Sequence, residues 1–126
     1  MERKSRQKTE IRKILSQNNF HPTIEEIHLI LKKRVPGVGI ATVYRNIDKM
    51  VRNGEIIRLE VPGQGARFDG NTEKHYHFRC EKCNSVEDVW LDIDINSYIK
   101  TVSPLKESII RDHMIEFTGI CAECQK

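Results

Sequence analysis

Apolar positions in the first 60 residues recur three and four apart, which is the spacing of one helix face. Ile11, Ile14 and Leu15 place a helix over about residues 6–17, broken by Asn18-Asn19. Ile24, Ile27, Ile30 and Leu31 form a second such face. Thr23 and Glu26 open that helix as a T-x-x-E pair, in which each side chain takes up a backbone N–H at the free end. Pro36-Gly37 stops it, and Gly39 caps a third helix from about Ile40 to Arg52, with Val43, Ile47, Met50 and Val51 inward. Ala41, Arg45, Asp48 and Arg52 lie roughly opposite, with Tyr44 and Lys49 on the flanks.

After Asn53-Gly54, Glu55–Val61 reads as a strand, Pro62-Gly63-Gln64-Gly65 as a turn, and Ala66–Asp69 as the returning strand. Three helices and a hairpin give a winged helix-turn-helix pattern. From about Asn71 the texture changes, with strands at residues 76–80, 85–91 and 108–118 and a helix near Asp94–Val102. The expected class is therefore α+β. A winged helix-turn-helix domain spans residues 1–70 and a small α/β domain residues 71–126, with a hinge around 70–74.

Composition sharpens this division. The chain has 126 residues, 38% hydrophobic and 6% aromatic, so the second unit is short of core material and needs a staple such as bound metal. No apolar run approaches the roughly 20 residues of a membrane span. The charged start Met1-Glu2-Arg3-Lys4-Ser5-Arg6 leads into no apolar stretch, so no signal peptide is read. A cytoplasmic protein without a membrane partner is expected. Residues 1–60 carry 13 Lys/Arg against 7 Asp/Glu, and residues 61–126 carry 8 against 11. A basic first half suits a polyanion and an acidic second half suits cations.

All four cysteines lie in two C-x-x-C pairs, Cys80/Cys83 and Cys121/Cys124, with 37 residues between them. Two such turns complete a closed tetrahedral zinc site. Disulfides do not suit an intracellular chain, and a thioredoxin-like motif would not occur twice. Structural zinc would tie the C-terminal segment to a unit too small to fold alone. His75-Tyr76-His77 alternates, so on a strand both imidazoles share a face. With Asp69 at the end of the wing, Asp88 on the next strand and His21 before the second helix, three nitrogens and two carboxylates are available. That set suits a divalent transition metal such as iron or manganese; the plainer alternative is separate surface histidines. His28 reads as a polar-face residue, and His113 has no adjacent partner of ligand type.

H-P-T-I-E-E-I (His21–Ile27), A-T-V-Y-R-N-I (Ala41–Ile47), R-F-D (Arg67–Asp69), H-Y-H-F-R-C-E-K-C (His75–Cys83) and G-I-C-A-E-C (Gly119–Cys124) resemble the ferric uptake regulator family, in order from about Thr9 to Cys124. The resemblance implies a bacterial metal-responsive repressor that binds palindromic double-stranded operator DNA as a homodimer. It implies a four-cysteine zinc in the dimerisation domain and a regulatory Fe(II) or Mn(II) held by His21, Asp69, His75, His77 and Asp88 at the junction of the domains. Aspartate at both 69 and 88 is most similar to the peroxide-stress branch, where iron-uptake members more usually have glutamates. That branch implies that peroxide reacts at Fe(II) and oxidises a ligating histidine, His21 or His75, which releases the operator. Manganese would support DNA binding but resist this oxidation. Lys74-His75-Tyr76-His77 departs from the H-H-D-H of many iron-uptake members, which implies that His113 is without a metal. Thr9-Glu10-Ile11-Arg12 departs from the usual T-P-Q-R.

In a helix-turn-helix the third helix enters the major groove by its N-terminal end. Thr42, Tyr44, Arg45 and Asn46 lie there, and Arg45 suits a bidentate contact to guanine. Lys49 and Arg52 face backbone phosphates, and Arg58 gives a contact from the wing. The rival within the family is an iron, manganese or zinc availability regulator without histidine oxidation. A metalloenzyme would keep an open metal position and a general base, so no enzyme and no small organic substrate are expected. A zinc-stabilised RNA-binding protein would favour aromatic platforms, which are scarce here.

Overall fold

The computed structural model describes residues 3–17, 20–102 and 104–126, with side chains from Arg6 onward. Helices α1 (Arg3–Leu15), α2 (Ile24–Arg34) and α3 (Ile40–Arg52) precede a hairpin of β1 (Ile57–Val61) and β2 (Gly65–Asp69). β3 (Tyr76–Cys80), β4 (Val86–Val89), α4 (Ile95–Val102) and β5 (Glu116–Gly119) follow, with short 3-10 turns at Pro104–Glu107 and Glu123–Gln125. α1 ends two residues before the expected limit because the Ser16 hydroxyl donates to the Lys13 carbonyl at 2.7 Å and turns the chain off the helix. The break assigned to Asn18-Asn19 lies outside the described residues.

The helix faces meet as their spacing requires. Ile11, Ile14, Ile27, Leu31, Val43, Ile47 and Met50 are fully or almost fully buried, and Phe68 of β2 joins the same core. Both halves of the capping box form at Thr23: its hydroxyl accepts from Glu26 N–H at 3.2 Å, and Thr23 N–H donates to the Glu26 carboxylate at 3.1 Å. Thr23→Ala is expected to lower stability by about 1 kcal/mol, read as an earlier denaturant midpoint at unchanged slope. His28, read as a polar-face residue of α2, has a specific partner. Its Nε2 donates to the Val38 carbonyl at 2.9 Å, half-buried, and pins the turn that leads into α3.

β1 and β2 pair antiparallel, from Ile57 opposite Asp69 to Val61 opposite Gly65. The second sheet has the order β4-β3-β5, with β3 antiparallel to β4 and parallel to β5. The expected strand over residues 108–118 is a correction: only Glu116–Gly119 forms one. Its register places His77 opposite Glu116 and Cys80 opposite Gly119, so the residues before Ile115 run past the start of β3 and have no ladder to join. Side chains hold that segment instead. The Lys74 ammonium donates to the Asp112 carboxylate and to the His113 carbonyl, both at 2.7 Å, and the Tyr76 hydroxyl hydrogen-bonds the His113 imidazole. β4 likewise ends at Val89 rather than residue 91, which frees Trp90 from the ladder. Among the described residues no helix is long and apolar enough to cross a membrane.

Candidate metal centre

Four separate pieces of chain deliver the five predicted side chains to one place. His21 and Pro22 are held by the wing: Phe68 N–H donates to the Pro22 carbonyl at 3.0 Å, and the Arg67 guanidinium donates to the His21 carbonyl at 3.1 Å. Asp69 ends β2, and the Asn71 N–H fixes its Oδ1 at 2.8 Å, leaving Oδ2 free to turn inward. His75 precedes β3, His77 lies within it, and Asp88 sits opposite His77 on β4.

The three Nε2 atoms converge on two carboxylate oxygens. Asp69 Oδ2 lies 3.3 Å from His21, 2.8 Å from His75 and 2.9 Å from His77. Asp88 Oδ1 lies 2.7, 3.0 and 3.3 Å from the same nitrogens. Ligand atoms of His21, Asp69, His77 and Asp88 all lie within 4.8 Å of one another. A polar cavity of about 300 Å³, bounded by Ser16, Gln17, Asn71 and Thr72, borders the two carboxylates.

This packing fits a divalent ion. His75 presents both nitrogens to acceptors, Nδ1 to the Glu73 carbonyl at 2.6 Å and Nε2 to the two carboxylates, so only an imidazolium satisfies every contact in metal-free protein. Burial opposes that charge, but the Glu73 carbonyl and the Asp69 and Asp88 carboxylates outweigh it and raise the His75 pKa. His21 is raised in the same way, burial again being overcome by Asp69 and Asp88. Burial also works against the Asp69 charge, yet donors on His21, His77, Asn71 and His75 hold its carboxyl well below the usual range. A metal replaces the Nε2 protons while leaving Nδ1 of His75 on its carbonyl, the outer bond that orients a ligating imidazole.

Proton competition follows. In metal-free protein His21 and His75 stay charged above the ordinary value of 6.5. Their contribution to the metal-free fold is present below 6.5 and is lost as pH rises through the raised values. Metal affinity runs the other way. Mn(II) titrations on either side of neutrality should show binding weaken as pH falls into the raised range, with protons released on binding. Affinity that ignores pH across that range would contradict the arrangement.

The four cysteines form the second cluster, free of disulfides, with ligand sulfurs within 4.8 Å of one another. Asn84 takes a left-handed φ of 59° to close the turn after Cys83, a conformation that asparagine tolerates. The backbone N–H groups of Cys121 and Cys83 donate to Cys80 Sγ at 3.4 and 3.5 Å, which lowers the Cys80 thiol to about 6. The neighbouring Cys121 and Cys83 sulfurs push the Cys124 thiol up to about 12. Four thiolates this close need a cation, and four sulfur donors suit zinc.

On α3, Tyr44 is 54% exposed, and Tyr44, Arg45 and Arg58 line one cavity of about 240 Å³ between the helix and the hairpin. The Arg45 guanidinium donates to Thr42 Oγ1 at 3.1 Å, Arg52 pairs with Asp48, and Arg58 with Glu60 at 2.6 Å. Lys49 is exposed. Asn46 is more occupied than its position predicted, since its amide donates to the buried Gln7 at 3.1 Å and braces α1 against α3. Sequence reading missed Trp90 and Glu73, which touch His75 from outside the ligand set. Neither belongs to a motif, although a lone tryptophan two residues after Asp88 was visible.

A family model described as Ferric uptake regulator family matches residues 2–118. The peroxide-responsive repressor PerR of Staphylococcus aureus (strain USA300) is 30% identical over 119 residues, covering 94% of this chain and 80% of that protein. The Campylobacter jejuni peroxide stress regulator superposes with a TM-score of 0.79 at 26% identity, over 96% of this chain and 90% of that one. The Helicobacter pylori ferric uptake regulator, described as having three functional metal-binding sites, superposes with a TM-score of 0.81 over 95% of this chain and 80% of that one. At 24% identity that likeness is one of fold.

Proposed function

Because the chain belongs to the ferric uptake regulator family of metal-responsive repressors, we propose that it binds palindromic operator DNA as a cytoplasmic homodimer and releases it when peroxide oxidises His21 or His75. The observation that carries this is the meeting of His21 and Asp69, from the winged-helix part, with His75, His77 and Asp88 from the part that follows. A ligand set drawn from both parts makes metal binding and their relative placement one equilibrium. Metal that favours the DNA-competent placement is itself held more tightly by DNA, by the same factor.

In this reading residues 1–70 bind DNA and residues 71–126 dimerise. Cys80, Cys83, Cys121 and Cys124 hold structural zinc. His21, Asp69, His75, His77 and Asp88 hold regulatory Fe(II) or Mn(II). Thr42, Tyr44, Arg45, Lys49, Arg52 and Arg58 face DNA, with Asn46 acting through its bond to Gln7. Leu91, Ile93, Tyr98, Val102, Phe117 and Ile120 are exposed apolar residues of the second part, more than a monomer usually leaves open, and a second copy would cover them. Iron(II) supplies the reactivity with peroxide that manganese lacks. Oxidation of His21 or His75 removes a nitrogen donor, weakens the tie between the parts and lets the operator go.

The test is anaerobic binding to a palindromic duplex selected from random sequence with Mn(II)-loaded protein. Fe(II) and Mn(II) forms should bind alike, and only the iron form should lose the duplex after mild peroxide, irreversibly and with one added oxygen on a peptide bearing His21 or His75. If both forms keep the duplex, the protein reads metal availability alone.

A further inference from the structure

We propose that Trp90 decides which histidine of the His/Asp centre is oxidised, by holding His75 and covering one face of its ring so that oxygen goes mainly to His21. This rests on the peroxide reading above. The Trp90 indole stacks on the His75 imidazole, with ring centroids 4.4 Å apart and planes 21° from parallel. Trp90 is itself 51% exposed, whereas the His75 side chain is wholly buried. The indole is therefore the lid between that imidazole and solvent. With the Glu73 carbonyl on Nδ1 at 2.6 Å, His75 is fixed both in its ring plane and about its axis.

His21 is held differently. Its ring contact is edge-on to His77, at 5.3 Å and 86°, and among the described residues its buried Nδ1 has no hydrogen-bond partner. Among the described residues no aromatic ring stacks on it. The oxidation replaces the C–H between the two ring nitrogens by C=O. A C–O bond forms, the O–O bond of peroxide breaks, the hydrogen passes to nitrogen and the second oxygen leaves as water. Two electrons leave the ring and two reduce the peroxide. New bonds to an aromatic carbon form from above or below the ring, so a stacked indole blocks half of the approaches to His75. His21 is buried as well, but among the described residues no ring stacks over either face of its imidazole.

Wild type, Trp90→Phe and Trp90→Leu, each loaded with zinc and Fe(II), are treated with limiting hydrogen peroxide and mapped by peptide mass. Oxygen should fall mainly on His21 in wild type and in Trp90→Phe, which keeps a stacked ring. In Trp90→Leu the share on His75 should rise at least several-fold. Mn(II) affinity should fall in Trp90→Leu and recover in Trp90→Phe, a rescue that loss of bulk alone would not give. Oxygen mainly on His75 in wild type, an unchanged split in Trp90→Leu, or oxygen on Trp90 itself would each overturn the proposal, the first without any variant. Wild type that takes oxygen on neither histidine while still binding Mn(II) would instead sink the peroxide reading, and this assignment with it.

Discussion

Cys121→Ser protein will hold no zinc, and residues 71–126 will lose their fixed structure while the three-helix part keeps its own. Among the described residues after Asn71, the buried apolar side chains are Tyr76, Cys80, Val86 and Cys121. Two of these four are zinc-binding candidates, so in this half the metal cluster is the core. α4 buries no side chain, and β5 has four residues and pairs only with β3. Structural zinc in small domains contributes about 10–16 kcal/mol of apparent binding energy, more than most whole domains have as net stability. The first part has an independent core from Ile11 to Phe68. Zinc content, together with hydrogen exchange at β3, β4 and β5 against α2 and α3, decides the matter. A Cys121→Ser protein that kept protection across β3 and β5 would show that packing, not zinc, holds the sheet.

The second large effect is expected at Asp69. Its Oδ2, like Asp88 Oδ1, lies within 3.3 Å of all three imidazoles, and its Oδ1 is fixed by Asn71. Losing an outer partner of a metal site costs about 10–100-fold in affinity, so Asp69→Ala should weaken Mn(II) binding by more than about 100-fold. It also leaves buried histidines facing one carboxylate, which cancels much of the upward shift in their pKa. The pH at which Mn(II) binding falls off should therefore move down even as affinity drops. Asp69→Asn keeps the shape and should show the same loss, which separates charge from packing. Zinc content should not change in either variant. Mn(II) affinity within a few-fold of wild type would remove Asp69 from the ligand set.

The local signals were the legible ones. Thr23 and Glu26 fixed one helix end because the capping box is closed within four residues. The alternation in His75-Tyr76-His77 put two imidazoles on one side because side chains in a strand alternate. The strand expected over 108–118 failed because Ile109, Ile110 and Met114 signal burial without naming a partner, and β3 begins too late to pair with them. His28 read as a polar-face residue and Asn46 as a DNA contact, but neither reading named the turn at Val38 or Gln7 of α1, which bond them from other parts of the chain. Trp90 reaches His75 only because β4 stops at Val89, an event of strand length rather than of sequence pattern.

The parallel pairing of β3 with β5 sets an order of events on the ribosome. The core of the helical part is complete once Phe68 has been made, so it can fold while the rest is still being translated. β3 and its antiparallel partner β4 follow at once, but β5 begins 33 residues beyond Cys83 and the second thiol pair 38 beyond it. At about 5–20 residues per second, Cys80 and Cys83 wait roughly 2–7 seconds as a bare dithiol before Cys121 is made. A two-thiolate turn favours soft ions such as Cu(I) as readily as zinc, and only four sulfurs around one ion impose the tetrahedron. Mismetallation in the cell is thus a question of translation speed and of free zinc during those seconds. Slowing elongation across this stretch should raise the fraction of chains that carry the wrong ion.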